Sequence, residues 1–383
     1  MRNFCLPDTR WKNRGHELYA LGDRLARPAY YLVGGESEIV QFRQELAGEI
    51  LIRGEVRSRR PCGGPVPAED SAAPPARPGI GLICVSRARE DYEANAGFYR
   101  GLGYTENENF FQADLFRAVF FFHKYGQIRL DRVEVFLTSH CTLNCEKCIA
   151  FIPYFAKPWH APLAALKQDL DLLFSKVDFI YKLKLLGGET LLYPRLAEYL
   201  EYLARYRRRA GTVCLGTNAT LLPSPRIMEI CRQNDLTMDV SDYAAPGCRL
   251  EEVLALLKRH GVRYDVKRTG EQWLDMGFPA NPARFPSGPE AAAHFHRCAM
   301  FCREFYDGKL WFCCGNFAAV QAGLFPAHEN DYLDFRREIP KSEILEFEAG
   351  YSPLGHTTFC RVCRGCSPEA NPLEVPVARQ KER

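Results

Sequence analysis

Apolar and polar residues in the middle of the chain follow two periodicities. One is typical of buried strands and the other of amphipathic helices. Five strand-like runs follow residue 131: RVEVFLT, YKLKLLGG, GTVCLGTN, LTMDVSD and VRYDVK. Four helical segments separate them: PLAALKQDLDLLFSKV, RLAEYLEYLARYR, SPRIMEICRQN and RLEEVLALLKRH. Right-handed crossovers between such strands predict an α/β fold with an open or partial (β/α) barrel. The loops that follow the strands should share one face, where ligands bind.

A second alternation of strands and helices occupies residues 28–112 and predicts a small Rossmann-like domain. Its first turn has the sequence GGESE instead of GxGxxG, so the dinucleotide fingerprint is absent. Binding of a nucleotide or sugar and a purely structural role both stay open. After about residue 275 the periodicity fades into Pro, Gly and Cys, as expected of a small domain folded around metal. The predicted segments are an N-terminal extension (1–27), a Rossmann-like domain with connector (28–128), a core (129–275) and a Cys-rich domain (276–383).

The composition limits which cellular compartment and which classes of partner can be expected for this protein. The chain has 383 residues and a net charge of +3, which indicates neither a nucleic-acid partner nor an acidic membrane surface. The N-terminus lacks the apolar core of a secretory signal, and the run AVFFFH is far too short to cross a bilayer. We therefore expect a cytoplasmic protein. Because the cytosol keeps thiols reduced, the cysteines grouped at 141–148, 298–314 and 360–366 should serve as metal ligands or catalytic thiols, whereas scattered ones such as Cys84 and Cys231 should be ordinary buried residues.

Cys141, Cys145 and Cys148 form a C-x3-C-x2-C motif directly after the first core strand. Thiolates are soft ligands that suit iron–sulfur clusters or zinc, and a [4Fe–4S] cube has an iron at each of four corners. Three thiols on a short loop leave the fourth iron open for a substrate or cofactor. A structural zinc site would need a fourth ligand, for which His140 and His160 are the available candidates.

This motif resembles that of the radical S-adenosylmethionine (radical SAM) superfamily, in which the loop after the first strand of a partial barrel carries C-x3-C-x2-C. The resemblance implies that the three cysteines hold a [4Fe–4S] cluster whose unique iron binds SAM. Family members usually have an aromatic residue just before the third cysteine, near the adenine. This chain has Lys147 there, so Ile149 or Phe151 would supply that contact.

Two further matches lie in the following loops. Gly187, Gly188 and Glu189 end the second strand, where the resemblance implies contact with the SAM amino group. Thr217 and Asn218 end the third strand, where family members commonly have Thr-Asn-Gly near the ribose; Ala219 replaces the glycine. Ser241 and Asp242 end the fourth strand and could meet the ribose or the substrate, although helix capping explains them equally well.

The Cys-rich tail resembles the auxiliary-cluster domains called SPASM and Twitch. Nine residues separate Cys298 from Gly308 and four separate Gly308 from Cys313, and Asp307-Gly308 is a hairpin signal. The shorter Twitch form fits better and implies one auxiliary [4Fe–4S] cluster on four cysteines: Cys298, Cys313, Cys360 and Cys363. The cysteines left over could replace a ligand, lie buried or face the substrate: Cys302, Cys314 and Cys366. A zinc-stabilised module on the same cysteines is the alternative.

The resemblance implies an enzyme of oxidoreductase or isomerase type, which cleaves SAM to a 5′-deoxyadenosyl radical that takes hydrogen from a substrate carbon. A sugar or nucleotide-sugar, oxidised or epimerised, is the predicted small-molecule substrate, and a flavodoxin or ferredoxin would be the reductant. Modification of a peptide is the competing enzyme hypothesis. A non-catalytic iron–sulfur electron carrier is the hypothesis from another class, and it would need the first cluster fully ligated by protein.

Overall fold

The computed structural model describes residues 15–58, 76–86, 88–245, 247–268, 272–298, 302–366, 371 and 373–381. The chain divides into two compact units. One contains the residues up to Gln127 together with Leu345–Tyr351, and the other contains the remaining described residues from Ile128 on. Parts of the predicted N-terminal extension and of the Pro/Gly/Ala-rich loop at 57–79 lie outside the described residues. The division into four segments stays a prediction.

The first unit is built around a parallel four-stranded sheet. Its elements are α1 (Gly15–Arg24), β1 (Ala29–Gly34), α2 (Glu36–Glu45), β2 (Ile52–Arg57), β3 (Ile80–Cys84), α3 (Arg89–Arg100), β4 (Phe110–Gln112) and α4 (Ala113–Tyr125). The strand order is β2-β1-β3-β4 and every pairing is parallel. Leu32, Leu82 and Phe110 are almost fully buried at its centre, as expected of parallel strands covered on both faces. The predicted alternation of strands and helices is confirmed.

The second unit contains five parallel strands that alternate with helices. Its first elements are β5 (Arg129–Phe136), α5 (Leu163–Lys176), β6 (Phe179–Leu186), α6 (Leu196–Leu203), β7 (Ala210–Thr217), α7 (Pro225–Gln233), β8 (Thr237–Asp242), α8 (Leu250–Arg259) and β9 (Arg263–Arg268). Val133, Leu183 and Val213 lie in register across β5, β6 and β7 and are fully buried. The predicted parallel α/β sheet is confirmed, whereas its closure towards a barrel stays a prediction.

The remaining elements follow β9. They are β10 (Gln272–Leu274), α9 (Gly288–Arg297), β11 (Glu304–Tyr306), β12 (Lys309–Trp311), α10 (Cys314–Gln321), β13 (Tyr332–Asp334), α11 (Lys341–Glu348) and β14 (Glu374–Pro376). The full order of the large sheet is β13-β12-β11-β5-β6-β7-β8-β9. The Cys-rich segment therefore extends the core sheet instead of forming a sheet of its own. β10 and β14 pair separately as an antiparallel ribbon.

The predicted hairpin at Asp307-Gly308 forms between β11 and β12. Asp307 has φ 49° and Gly308 has φ 65°, so both central residues adopt the left-handed conformation that a tight type I′ turn requires. The carboxylate of Asp169 on α5 accepts hydrogen bonds from the backbone N–H groups of Asp307 (2.8 Å) and Gly308 (2.7 Å). The turn that precedes Cys313 is thus held directly by a helix of the core.

In the part of the chain that the structure describes, every helix is too short or too polar to cross a bilayer.

Candidate functional site

The loops after the parallel strands of the second unit surround a cavity of about 420 Å³. The cysteine loop after β5 forms one wall, and the loops after β6, β7 and β8 form the next. The predicted site residues that line the cavity are Cys141, Cys145, Gly187, Gly188, Thr217, Asn218 and Ser241. The carboxyl ends of neighbouring parallel strands meet at one edge of a sheet, which explains why loops distant in sequence converge here.

The thiols of Cys141, Cys145 and Cys148 lie near one another in a compact turn. The backbone N–H of Cys148 donates to the carbonyl of Cys145 (3.2 Å), and the N–H of Leu143 donates to Cys141 Sγ (3.4 Å). Burial raises the pKa of Cys141 to about 12 and that of Cys148 to about 11, with smaller contributions from the neighbouring thiols. Cys145 is buried and the other two thiols are partly buried. Three soft donors that repel one another as thiolates suit a cationic metal centre, because a cation attracts all three. The donor set therefore fits an iron–sulfur cluster.

Gly187 and Gly188 allow the loop after β6 to lie directly against the cysteine loop. The backbone N–H of Gly188 donates to the carbonyl of Thr138 (2.7 Å), and that of Glu189 donates to the carbonyl of His140 (2.8 Å). A Cβ atom on Gly188 would clash with the His140 carbonyl and lie 2.8 Å from Cys141 Cβ. A Cβ on Gly187 would clash with the Thr138 carbonyl. The glycines are thus required for loop packing, whether or not their backbone also meets a ligand.

Glu189 is 1% exposed and does not line the cavity. Its carboxylate accepts hydrogen bonds from the backbone N–H groups of Leu191 (3.1 Å) and Asn218 (2.8 Å), and so joins the loops after β6 and β7. Burial raises its pKa, although these two hydrogen bonds and a third from the Thr217 side chain oppose that shift. A carboxylate can accept further bonds, so the predicted contact with a cationic amino group stays a prediction.

Thr217, Asn218 and Ser241 present polar groups to the cavity. The Asn218 amide donates to Thr142 Oγ1 (3.0 Å) and points at Cys141 Sγ (3.6 Å), so it touches the cysteine loop. The Ser241 hydroxyl hydrogen-bonds to the hydroxyl of Tyr243, which also lines the cavity. Ala219 has φ 58°, the left-handed region that glycine adopts without cost. Ala219 therefore accepts a backbone strain of about 1 kcal/mol that a glycine would not have.

The structure also places the two candidates for the adenine contact. Ile149 lines the cavity, whereas Phe151 is 3% exposed and packs against Phe278 and Phe359 away from it. Lys147 forms an ion pair with Asp275 (3.0 Å). Of the two, Ile149 has the position that such a contact requires.

The four cysteines of the predicted auxiliary site come together from three segments. Cys298 follows α9, Cys313 directly precedes α10, and Cys360 and Cys363 lie in the turn around Thr358–Arg361. Burial raises the pKa of Cys313 well above its ordinary value, and the charges of Cys298, Cys363 and Cys360 add to the shift. Like the three thiols of the cysteine loop, these four are soft donors that repel one another when ionised. It therefore fits a second metal centre of the kind predicted.

The turn that carries Cys360 is anchored by a buried acid. Asp331 is fully buried, and its carboxylate accepts hydrogen bonds from the backbone N–H (2.7 Å) and the hydroxyl of Thr358. The backbone N–H of Gly365 donates to Cys363 Sγ (3.3 Å). These contacts hold two of the four thiols in place without any contribution from a metal.

The sequence analysis missed several residues around the cavity. They are the charged side chains Arg132, Glu134, Lys184 and Glu304. The three cysteines left over from the predicted clusters, Cys302, Cys314 and Cys366, also line the cavity, which is one of the positions that the sequence left open for them. The ligand atoms of Glu134, Cys302 and Cys314 all lie within 4.8 Å of one another, and neither predicted cluster set is so tightly grouped among the described residues. The signal that could have found Glu134 and Lys184 is the pair of charged residues that alternates with apolar ones in each of two strands, RVEVF and KLKLL.

The described C-terminal residues lie along the cysteine loop. The Gln380 amide oxygen accepts from the backbone N–H of Asn144 (2.7 Å), and its NH₂ group donates to Cys145 Sγ (3.5 Å). Arg379 pairs with Glu146 (2.7 Å). This contact, over more than 230 residues of separation, was not expected from the sequence.

No protein-family profile matches the chain, and no curated protein is similar to it in sequence. Among solved structures, BtrN in complex with AdoMet and 2-DOIA is 15% identical over 50% of this chain and 75% of that chain, with a TM-score of 0.35. Histidine-tagged anSMEcpe with bound AdoMet is 17% identical over 35% of this chain and 41% of its own, with a TM-score of 0.29. Streptococcus suis SuiB bound to precursor peptide SuiA is 13% identical over 61% of this chain and 45% of its own, with a TM-score of 0.31. The chain spans less than half the length of the latter two proteins.

Proposed function

We propose that the chain is a radical SAM enzyme. The observation that carries this proposal is the position of the cysteine loop, which lies at the carboxyl end of a parallel sheet and forms one wall of a cavity lined by Thr217, Asn218 and Ser241. An electron-transfer cluster needs no cavity of 420 Å³ beside it. Such a cavity is expected where a cofactor and a substrate have to meet a metal centre.

In this proposal Cys141, Cys145 and Cys148 hold a [4Fe–4S] cluster. The wider spacing of these thiols, compared with the tight group at Glu134, suits a cube with an iron at each corner better than a single ion. When bound, the reduced cluster and SAM supply a 5′-deoxyadenosyl radical that takes hydrogen from an unactivated carbon. The chain positions the cofactor and excludes water around it.

The residues that we propose for SAM lie at the carboxyl ends of β6, β7 and β8 and in the loops after them. Five residues of these segments line the cavity and carry polar groups. They are Gly187, Gly188, Thr217, Asn218 and Ser241. Glu189 holds the loops that carry Gly188 and Asn218 against each other. Its contribution in this arrangement is to fix the geometry of the SAM site.

We propose an auxiliary [4Fe–4S] cluster on Cys298, Cys313, Cys360 and Cys363. The support is the convergence of four thiols from three segments, two of them held in a turn by Asp331. An auxiliary cluster of this kind would take up or supply the electron that the substrate reaction requires, with a flavodoxin or ferredoxin as the external reductant.

The substrate we propose is a small polar molecule of the sugar or nucleotide-sugar class. The support comes from four charged residues that line the cavity: Arg132, Glu134, Lys184 and Glu304. Charged side chains that line a cavity can form specific hydrogen bonds to hydroxyl and phosphate groups. Modification of a peptide is the alternative, and substrate trials would separate the two.

The experiment that tests the proposal is anaerobic purification, reconstitution with iron and sulfide, reduction, and addition of SAM. We expect about eight irons per chain and formation of 5′-deoxyadenosine. Replacing Cys141, Cys145 and Cys148 with alanine should leave about four irons and abolish the product. Cys231→Ala, which removes a buried thiol of α7, is the matched control and should change neither result. An intact cluster that does not cleave SAM would favour an electron carrier, and zinc in place of iron on Cys298, Cys313, Cys360 and Cys363 would overturn the auxiliary cluster.

A further inference from the structure

Two glutamates lie side by side in the interior of the large sheet. Glu304 on β11 is the register partner of Glu134 on β5, so the side chains of both emerge on the same face. Glu304 is 1% exposed and Glu134 is 2% exposed. Like charges at directly paired positions destabilise a sheet, and buried charges do so more strongly, so packing alone does not account for this pair.

The cations near this pair balance only part of its charge. Arg132 donates to the Glu134 carboxylate, and Lys184 pairs with Asp239 (2.7 Å). Among the described residues, nothing donates a hydrogen bond to either oxygen of the Glu304 carboxyl. A buried carboxyl without a partner loses its hydration without compensation, so its presence at a cavity wall indicates a ligand.

Two thiols complete the group. The Sγ atoms of Cys302 and Cys314 and a carboxylate oxygen of Glu134 all lie within 4.8 Å of one another, and all three residues line the cavity. The backbone N–H of Cys314 donates to the carbonyl of Cys302 (3.1 Å), which fixes the two residues relative to each other. Cys302 directly precedes the strand that carries Glu304, since β11 begins two residues later.

Cys313 and Cys314 face different sites although they are neighbours in sequence. Cys313 has extended backbone (φ −144°, ψ 125°) and belongs with the proposed auxiliary cysteines, whereas Cys314 is the first residue of α10 and lies with Cys302. The adjacent pair therefore serves two sites instead of competing for one.

We propose that Cys302, Cys314 and Glu134 bind a single divalent transition-metal ion of the zinc class at the cavity wall. Two thiolates and one carboxylate are a ligand set that zinc accepts, and three protein ligands leave a fourth position open, as in catalytic zinc sites. That position faces the cavity, with the Glu304 carboxyl next to it. The ion would bind a hydroxyl or carbonyl oxygen of a polar substrate and orient it.

This site is independent of the iron–sulfur clusters, and the experiment can keep the two apart. The reconstituted protein would be incubated anaerobically with a small excess of ZnCl₂, desalted and analysed for zinc, iron and sulfide together. We expect about one zinc beyond the iron–sulfur content. The Cys302→Ser, Cys314→Ser double variant should lose that zinc and keep its iron. Cys231→Ser is the thiol control and should keep both.

Glu134→Gln tests the site without removing a thiol. It keeps the shape of the side chain, and we expect at least a tenfold loss of zinc affinity in a competition titration with a chelator. Glu304→Gln should lower the affinity less, because Glu304 lies beside the open position. Far-UV circular dichroism of each variant would separate a folding defect from a loss of binding.

Three outcomes would overturn this inference. Wild-type protein that retains no zinc after the incubation would exclude the site. Loss of about four irons in the Cys302, Cys314 double variant would make these residues cluster ligands. Equal zinc affinity of wild type and Glu134→Gln would leave the carboxylate without a role. Zinc bound by protein that holds no iron–sulfur cluster would support this site while contradicting the proposed function.

Discussion

The side chain of Gln380 donates a hydrogen bond to the thiol of Cys145 at 3.5 Å, across 235 residues of sequence. The same side chain accepts from the backbone of Asn144 at 2.7 Å. One residue near the end of the described chain thus holds both the backbone and a proposed ligand of the cysteine loop. Hydrogen bonds to ligand sulfurs tune iron–sulfur clusters, because they stabilise the more negative reduced state.

Gln380→Ala should therefore make the first cluster harder to reduce. We expect its reduction potential to fall by roughly 50 mV, the one-electron equivalent of about 1 kcal/mol for one lost hydrogen bond. Potentiometric titration followed by electron paramagnetic resonance measures this shift. Arg379→Ala removes only the exposed ion pair with Glu146 and should leave the potential unchanged. Equal reduction potentials for Gln380→Ala and wild type would show that this hydrogen bond does not affect the cluster.

Gly188→Ala should damage the site by separating two loops. The added Cβ would clash with the carbonyl of His140 and crowd Cys141, both of which belong to backbone-held segments. We expect a destabilisation of about 1–3 kcal/mol and at least a tenfold drop in 5′-deoxyadenosine formation. Gly288→Ala is the matched control, because no atom lies within 4 Å of the new Cβ. If Gly188→Ala forms 5′-deoxyadenosine as fast as the wild type, the two loops can move apart without loss of activity.

Asp169→Ala should loosen the hairpin that leads to Cys313. The carboxylate accepts from two backbone N–H groups, at Asp307 and Gly308, and removing it leaves both without that partner. We expect a loss of about 1–3 kcal/mol and less iron in the auxiliary site. Asp171→Ala lies on the same helix and removes hydrogen bonds to the hydroxyls of Tyr202 and Tyr206, far from the hairpin in sequence, so it should keep the iron content. Iron analysis after identical reconstitution of the two variants measures the difference.

Asp239 should make the second unit sensitive to acid. Burial opposes ionisation of this carboxyl, but Lys184 (2.7 Å) and Lys267 (2.6 Å) outweigh burial and lower its pKa to about 2. An unfolded Asp has a pKa of about 3.9, so the unfolded chain binds the proton first as the pH falls. The contribution, about 2–3 kcal/mol, is complete above about pH 5 and is lost between about pH 4 and pH 2.

Urea unfolding of the metal-free protein at pH 6 and pH 3 would measure this effect. Asp239→Asn should show a smaller difference between the two pH values, and at pH 6 it should be less stable by about 3–5 kcal/mol because Lys184 loses its buried partner. Asp235→Asn is the control, since that carboxylate is 57% exposed and pairs with Arg207 and Arg263 at the surface. Its effect should stay within about 1 kcal/mol. If wild type and Asp239→Asn lose the same free energy of unfolding between pH 6 and pH 3, Asp239 is not the source of the acid sensitivity.

The parallel sheet and the grouping of three thiols in one loop could be predicted from local sequence. Strand and helix periodicities alternate five times after residue 131, and each predicted strand ends within a few residues of a polar or glycine-containing loop. Because parallel strands place these loops at one edge, Cys141, Gly188 and Asn218 could be expected to meet before any distance was known. The Asp307-Gly308 hairpin was predictable for the same reason, since two residues determine a tight turn.

Other features depend on how distant segments pack. β11 pairs with β5, which places Glu304 beside Glu134, and nothing in either short segment specifies that register. Gln380 meets Cys145, and Glu189 faces backbone amides instead of the cavity, for the same kind of reason. Local sequence alone determined which elements form and which thiols belong to one loop, because periodicity and turn chemistry act over a few residues. Only the tertiary structure decided which side chains share the cavity, because strand register and burial are set by contacts between residues far apart in the chain.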